Sequence, residues 1–174
     1  MKSKILGIFI AALVFAACST YSTLDSSKEY AFVVDENQST MLKNPEFGKT
    51  RIYVYRKDTA QSFNIGYLRP FDIKIEYANK KSEILASSRM HSAYFKDIEV
   101  DSNESITLSA KLDKYFSLSF TPKKNVIYCL QSEILQDDMQ LDSTSFVALP
   151  VFTLVEKDEC LFMMKKMNKI QGYN

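Results

Sequence analysis

The sequence predicts an all-β fold: a β-sandwich of about seven to eight mostly antiparallel strands with a C-terminal helix packed on it. Three observations predict this. Short runs alternate apolar and polar residues from Thr50 onward, short polar loops separate these runs, and the apolar spacing becomes helical after Glu156. Short alternating strands at close intervals are typical of sandwiches and barrels.

The first seventeen residues have the features of a signal peptide. Lys2 and Lys4 precede an uncharged run, Ile5 to Ala17. A helix needs about 20 apolar residues to cross a bilayer, so this run is too short to span one, but it suits an export signal. The run ends in "FAAC", which resembles the bacterial lipobox, where the cysteine thiol is lipidated and the preceding bond is cut. The resemblance implies a lipid anchor on Cys18.

The alternative is a plain export signal whose cleavage site happens to precede Cys18. One acyl chain binds a membrane only marginally, whereas two or more anchor a protein stably. Ser19 follows the cysteine and is compatible with sorting to the outer membrane. We therefore expect a protein anchored by lipid in the bacterial outer membrane and facing the periplasm. Residues 18–45 are predicted to be the lipidated cysteine with a tether and lead-in, and residues 46–174 the folded domain.

The strands are predicted in chain order from their alternation. In the first, Ile52 and Val54 face one side, and Arg51, Tyr53 and Tyr55 face the other. That second face is either a binding patch or a covered surface. The predicted strands are "TRIYVYR", "FDIKIEY", "AYFKDIEV", "SITLSAKL", "KYFSLSF", "NVIYCLQ" and "SFVALPVFTLV", with "YAFVV" ambiguous.

The tail "EKDECLFMMKKMNKI" changes to helical spacing. Acidic residues stand at its start and lysines near its end, an arrangement that complements the helix dipole. The sequence predicts a helix whose apolar stripe packs on the sandwich as core and is not a functional patch. This stripe consists of Cys160, Met163, Met164, Met167 and Ile170.

The order of these elements resembles a family of small bacterial lipoproteins of unknown function. The resemblance rests on "GKTRIYVYR", "YFKDIEV" and "FTPKKNVIYCL" and covers roughly Gly48 to Ile170. The chain departs from the family by having "VDSNE" where a Pro-Gly turn is common, and Cys129 where an aromatic residue is common. The resemblance implies a β-sandwich and a lipid anchor, and it implies no activity.

Composition and motifs argue against several function classes. A net charge of +1 over 174 residues gives no electrostatic case for nucleic acid. The one histidine, His91, cannot build a zinc site from several imidazoles. No nucleophile elbow, P-loop or dinucleotide motif is present, and "DSNES" departs from the calcium-loop pattern. Three acids are interpreted as a solvated loop: Asp137, Asp138 and Asp142. We expect no catalysis, no metal and no cofactor.

The predicted function is a non-catalytic interaction or structural module of the cell envelope, with an envelope protein as partner. The alternative is a lipoprotein whose sandwich binds a small ligand or a peptide. Two cysteines remain besides Cys18, and an exported compartment permits a disulfide between them. Cys129 and Cys160 are therefore either bonded, with Cα atoms within about 7 Å, or two buried thiols.

Two asparagines are candidate glycosylation sites. Asn37 in "DENQS" and Asn103 in "DSNES" each follow an acid by two residues, Asp35 and Asp101. The pattern resembles the acceptor D-x-N-x-S of the bacterial oligosaccharyltransferase. In a host with that enzyme, we expect the intact mass to exceed the polypeptide mass by two glycans, and each Asp→Ala variant to lose one. A single unmodified mass in such a host would contradict the prediction.

Overall fold

The computed structural model describes residues 20–21, 24–37, 41–56, 68–101, 103–136 and 147–173. Cys18 lies outside the described residues, as do Asp137, Asp138 and Asp142. The described residues form two five-stranded sheets and one short helix. The prediction of an all-β, sandwich-like fold with a helix near the C-terminus is confirmed.

Ten strands and one helix follow one another along the described chain. They are β1 (Thr20–Tyr21), β2 (Thr50–Arg56), β3 (Phe71–Glu76), β4 (Ser82–Ser88), β5 (Ser92–Ile98), β6 (Ile106–Lys111), β7 (Tyr115–Phe120), β8 (Ile127–Gln136), β9 (Ala148–Val155), α1 (Lys157–Met164) and β10 (Lys169–Gly172). The predicted count of seven to eight was too low, because β1 and β10 are short and β4 lacks regular alternation. The segment "YAFVV" contributes only an isolated bridge from Phe32 to Ile127.

The strands are ordered β1-β7-β6-β3-β4 in the first sheet and β10-β5-β2-β8-β9 in the second. Five of these pairs are antiparallel, and three are parallel: β1 with β7, β10 with β5, and β2 with β8. One end of the sandwich therefore carries the connection from β3 to β4, the start of β2 and the end of β5. The other end carries the turn from β6 to β7.

The first core lies between the two sheets. In β3, Phe71, Ile73 and Ile75 are buried while the alternate residues are exposed, as period-two spacing requires. Phe116 on β7 of the same sheet and Phe152 on β9 of the facing sheet pack edge to face with ring centroids 4.8 Å apart. Such pairs add about 0.5–1.5 kcal/mol beyond the area they bury. Buried side chains from both sheets therefore occupy the space between them.

The second core lies on the outer face of β2, and all seven residues of that strand are buried. Tyr53 and Tyr55 are 2% and 1% exposed and pack beneath α1 and the segment before β2. Of the two alternatives for this face, the binding patch is wrong, because an aromatic strand face of this size is covered by further chain. The cover consists of Phe32, Val34, Leu42, Cys160, Met164 and Met167.

Part of the segment predicted as tether and lead-in belongs to the folded body. Phe32 and Ile127 exchange two backbone hydrogen bonds, of 3.1 and 2.7 Å. The Asn44 side chain accepts from the Val34 N–H at 3.0 Å and donates to the Val34 carbonyl at 2.9 Å. Within the lead-in, the segment at Val34 is thereby joined to the segment at Asn44, and Phe32 is joined to β8.

The helix α1 ends at Met164, so the prediction of one helix extending to Ile170 is wrong. Backbone bonds from Lys166 to Met163 and from Met167 to Met164 turn the chain out of the helix. Ile170 then lies in β10, which pairs in parallel with β5. Pairing with the free edge of β5 outweighs the helical preference of this segment. Met164 and Met167 remain buried core residues.

The structure joins Cys129 on β8 to Cys160 on α1 in a disulfide, with Cα atoms 5.9 Å apart. Both residues are fully buried in the second core. The bond holds the helix against the sheet directly beside Tyr53 and Tyr55. It links two positions 31 residues apart in the chain.

Removal of this disulfide by Cys129→Ala with Cys160→Ala is expected to lower the free energy of unfolding by about 3–4 kcal/mol. The reason is that the unfolded chain regains the conformational entropy that the disulfide-closed loop had restricted. Urea titration of both proteins, with and without reductant, measures the loss, and reductant should affect only the wild type. Unfolding without reductant should expose no reactive thiol at either position. Maleimide labelling of both cysteines under those conditions would contradict the bond.

Candidate functional site

A groove of about 720 Å³ opens at the end of the sandwich that carries the β3–β4 connection. We call it the end groove. Four connections form it: the turn before β2, the β3–β4 loop, the β5–β6 loop and the β7–β8 loop. Its lining is largely charged and includes Lys49, Lys81, Lys96, Lys124, Glu83, Asp97, Glu99, Asp101 and Glu104, together with Tyr77 and Phe47.

Glu83 of the end groove is held by two neighbouring side chains. It accepts a hydrogen bond from the Tyr77 hydroxyl at 2.5 Å and pairs with Lys96 Nζ at 3.0 Å. Burial acts to raise the pKa of Glu83, but the hydrogen bonds from Tyr77 and Lys96 outweigh burial and lower it. Burial, followed by the hydrogen bond to Glu83, raises the pKa of Tyr77. These hydrogen bonds therefore favour the ionised form of the Glu83 carboxylate.

Lys96 also closes part of a sheet edge. Its Nζ donates to the Ile84 carbonyl of β4 at 3.1 Å. β4 is the last strand of its sheet, and its register against β3 shifts between Ile73 and Lys74. A bulge and an inward lysine are two devices that keep an edge strand from pairing with another chain.

Asp97 is held by Arg51 from the neighbouring strand β2. The guanidinium makes two hydrogen bonds to the carboxylate, Nε to Oδ1 at 2.5 Å and Nη2 to Oδ2 at 2.7 Å. Its third contact is from Nη1 to the Lys43 carbonyl, and its plane lies over the Phe95 ring at 4.6 Å. The hydrogen bonds to Asp97 raise the pKa of Arg51. A bidentate pair of this kind fixes geometry as well as charge, so the end of β5 is firmly placed.

A tight turn presents Phe47 at the rim of the end groove. The Lys49 N–H donates to the Glu46 carbonyl at 3.0 Å, and Gly48 at the third position has φ +83°, as a type II turn requires. Asn125 fixes the turn from the other side, because its Oδ1 accepts from the Gly48 N–H and its N–H donates to the Lys49 carbonyl. Phe47 itself is 97% exposed.

The acids of the β5–β6 loop differ from the other charges of the end groove. Among the described residues, Glu99, Asp101 and Glu104 make no ion pair, whereas Glu83 and Asp97 do. On the opposite wall, Lys49 pairs with Glu46 at 2.7 Å. The pairing leaves the β5–β6 loop with three unpaired acids, while Lys81 and Lys124 line the same groove without an ion pair among the described residues.

The two candidate glycosylation sites lie on exposed loops, apart from each other. The Asp35 carboxylate accepts from both the backbone N–H of Asn37, at 3.0 Å, and its side-chain amide, at 3.1 Å. Asn103 is exposed at a turn with φ +70°, beside the acidic wall of the end groove. The structure therefore leaves both amides accessible and brings Asp35 into contact with the first.

His91 lies exposed in the turn between β4 and β5, with φ +55°. Its carbonyl accepts from the Asn168 N–H, which helps place β10 beside β5. Within the described ranges, no cluster of His, Cys, Asp and Glu is arranged to hold a metal ion. No helix in the part of the chain that the structure describes is long and apolar enough to cross a membrane.

Comparison of the chain with protein-family models, with curated proteins and with solved structures gave no match. The resemblance to small bacterial lipoproteins therefore stays a prediction. Any role of the end groove is therefore inferred from its geometry alone.

Sequence reasoning did not find the end groove. Its residues come from four connections and the strand ends beside them, spread between Phe47 and Lys124, and only the strand order brings them together. The one local signal was the Pro45 and Gly48 spacing in "NPEFGK", which marks a turn. That signal contains no information about the exposure of the phenylalanine within it.

Glu83→Gln is expected to lower the free energy of unfolding at pH 7 and to have less effect as the pH falls. The folded-state pKa lies below the ordinary value of 4.5, so the carboxylate's contribution is present above that pH and is lost below it. Urea titrations at pH 7, 5 and 3 measure the difference between variant and wild type. Glu76→Gln, at an exposed position on β3, is the matched control. A Glu83→Gln effect of constant size across this range would contradict the prediction.

Proposed function

We propose that this protein is a lipid-anchored lipoprotein of the bacterial cell envelope, held in the outer membrane and facing the periplasm, where it acts as a non-catalytic interaction or structural module. The observation that carries the proposal is the buried disulfide between Cys129 and Cys160. Disulfides persist in exported proteins and are rare in the cytosol. The export signal and "FAAC" precede the domain that contains this bond.

The described concavities support an interaction surface over a small-ligand site. Small-ligand pockets are mostly apolar and bury most of the ligand. The end groove is open and lined largely by charged side chains. A second concavity, of about 820 Å³, lies on the outer face of the first sheet and is lined by residues such as Asp72, Lys74 and Ser109. Both suit contact with a protein surface better than enclosure of a small molecule.

A peptide-binding lipoprotein is the second candidate function. One observation favours it: the end groove, of about 720 Å³, is open and carries charged and polar side chains that can hydrogen-bond an extended peptide. An extended peptide lying along this groove would meet the acids of the β5–β6 loop on one wall and Lys49 and Lys124 on the other.

Cys18→Ala is expected to abolish labelling by a palmitate analogue and to move the protein to the soluble periplasmic fraction or leave it uncleaved, since the variant lacks the thiol that carries the lipid. Membrane fractionation and gel fluorescence of the labelled protein measure both effects. Ser19→Ala is the matched control and should keep label and membrane partition. Unchanged labelling and partition of Cys18→Ala would defeat the anchor.

A further inference from the structure

We propose that the Phe47 turn and the end groove form a docking surface for a protein partner and that this surface points away from the membrane. The partner supplies an apolar socket for Phe47 and basic side chains for the acidic β5–β6 loop. The inference rests on the proposed function for its membrane reference, while the docking itself rests on the geometry of the turn and groove.

Phe47 is the side chain that identifies the surface. It is 97% exposed, the largest exposure among the large hydrophobic residues of the described chain. Single exposed hydrophobic residues are common on protein surfaces, so exposure alone decides nothing. Aromatic residues are nevertheless enriched at interfaces, where one ring in a desolvated pocket can contribute much of the binding energy.

The rigidity of the turn distinguishes Phe47 from an incidental surface residue. Gly48 and Lys49 are both bonded to Asn125, which itself has φ +61°. The Glu46–Lys49 ion pair spans the same turn. A side chain held on a fixed backbone loses less conformational entropy on binding, so preorganisation increases affinity. The Phe47 ring is therefore preorganised for contact in the free protein.

The acidic loop specifies the chemistry of the part of the partner that faces it, although Lys81 and Lys124 also line the groove without an ion pair in the described chain. Glu99, Asp101 and Glu104 line the end groove and make no ion pair within the described residues. Glu83 and Asp97 deeper in the groove are already neutralised by Lys96 and Arg51. Basic side chains of a partner would complete the acidic loop, and they would also speed association.

The register of β1 determines which way this surface faces. Thr20 and Tyr21 pair in parallel with Phe116 and Ser117 of β7, so β1 begins beside the start of β7. Two residues of chain span at most about 7 Å, so a lipid attached two residues before Thr20 would tether this end of the domain. The opposite end of β7 leads into the loop whose Asn125 holds the Phe47 turn. Strands rise about 3.3 Å per residue, so roughly one strand length separates the anchor from the groove.

A lipid surface does not fit as the occupant. Anionic headgroups repel an acidic loop, and a ring that inserts into the anchoring membrane has to lie at the anchored end of the domain. Phe47 has acidic neighbours across the groove and lies at the other end.

The test uses the full chain in its own cells, with p-benzoyl-phenylalanine incorporated at position 47, at Lys124 in the groove wall, or at Phe162. Phe162 is the matched control, because it is 58% exposed on α1 and does not line the end groove. The position-124 probe is also placed in the Phe47→Ala, Phe47→Leu, Glu104→Lys and Glu104→Gln backgrounds. Adduct size on gels separates protein from lipid products.

The expected result is a protein adduct at positions 47 and 124 that is absent at 162. In the position-124 series, Phe47→Ala and Glu104→Lys should each lower the yield at least tenfold, with smaller losses for Phe47→Leu and Glu104→Gln. Unchanged thermal unfolding of the variants excludes misfolding as the cause. Equal adducts at 47 and 162, yields independent of Phe47, adducts of lipid size, or no adduct would each overturn the proposal.

The outcomes also separate this inference from the proposed function. Phe47-dependent protein adducts in a protein that remains unlabelled by the palmitate analogue would support docking and defeat the anchor. A lipidated, membrane-bound protein without such adducts would support the anchor and defeat docking.

Discussion

The fold depends on one strand that is buried on both of its faces. β2 lies in the middle of its sheet, with β5 on one side and β8 on the other. Its apolar face completes the core between the sheets, and its tyrosine face requires a second layer of chain. The lead-in, α1 and the disulfide supply that layer. The hydroxyl of Tyr53 accepts from the Lys43 N–H of the lead-in at 2.9 Å, and that of Tyr55 donates to Gln131 of β8, so both polar ends have a hydrogen-bond partner beneath the cover.

The same strand links the core to the end groove. Arg51 stands at the start of β2 with its guanidinium between the lead-in carbonyl of Lys43, the Phe95 ring and the Asp97 carboxylate. These contacts place the end of β5, and Lys96 of that strand then reaches Glu83, which also accepts from the Tyr77 hydroxyl. The Arg51–Asp97 and Lys96–Glu83 pairs of the groove are thus an extension of the packing around β2, since each joins residues on strands of the same sandwich.

Alternation predicted the strands where one face is buried and the other exposed. β3 is the clearest case, with strict alternation over six residues. β4 was not predicted, because its last four residues are all buried and its register shifts against β3. Both features remove the period-two signal. The helix was predicted to extend too far along the tail because Ile170 fits the helical stripe. Pairing with β5 decides the conformation of Ile170 instead. The end groove could not be predicted at all, since it arises from contacts between distant loops.

For a protein held at a membrane surface, the closure of the β4 edge bears on pairing between neighbouring molecules. Molecules confined to a membrane plane collide far more often, and in a narrower range of orientations, than molecules free in three dimensions. Open sheet edges brought together repeatedly in this way can join into continuous intermolecular sheets. The Lys96 bond to the Ile84 carbonyl and the bulge beside it act against such joining on β4, and Pro150 lacks an N–H to offer on the edge strand β9. Crowded copies can therefore remain separate molecules, each with its own groove open.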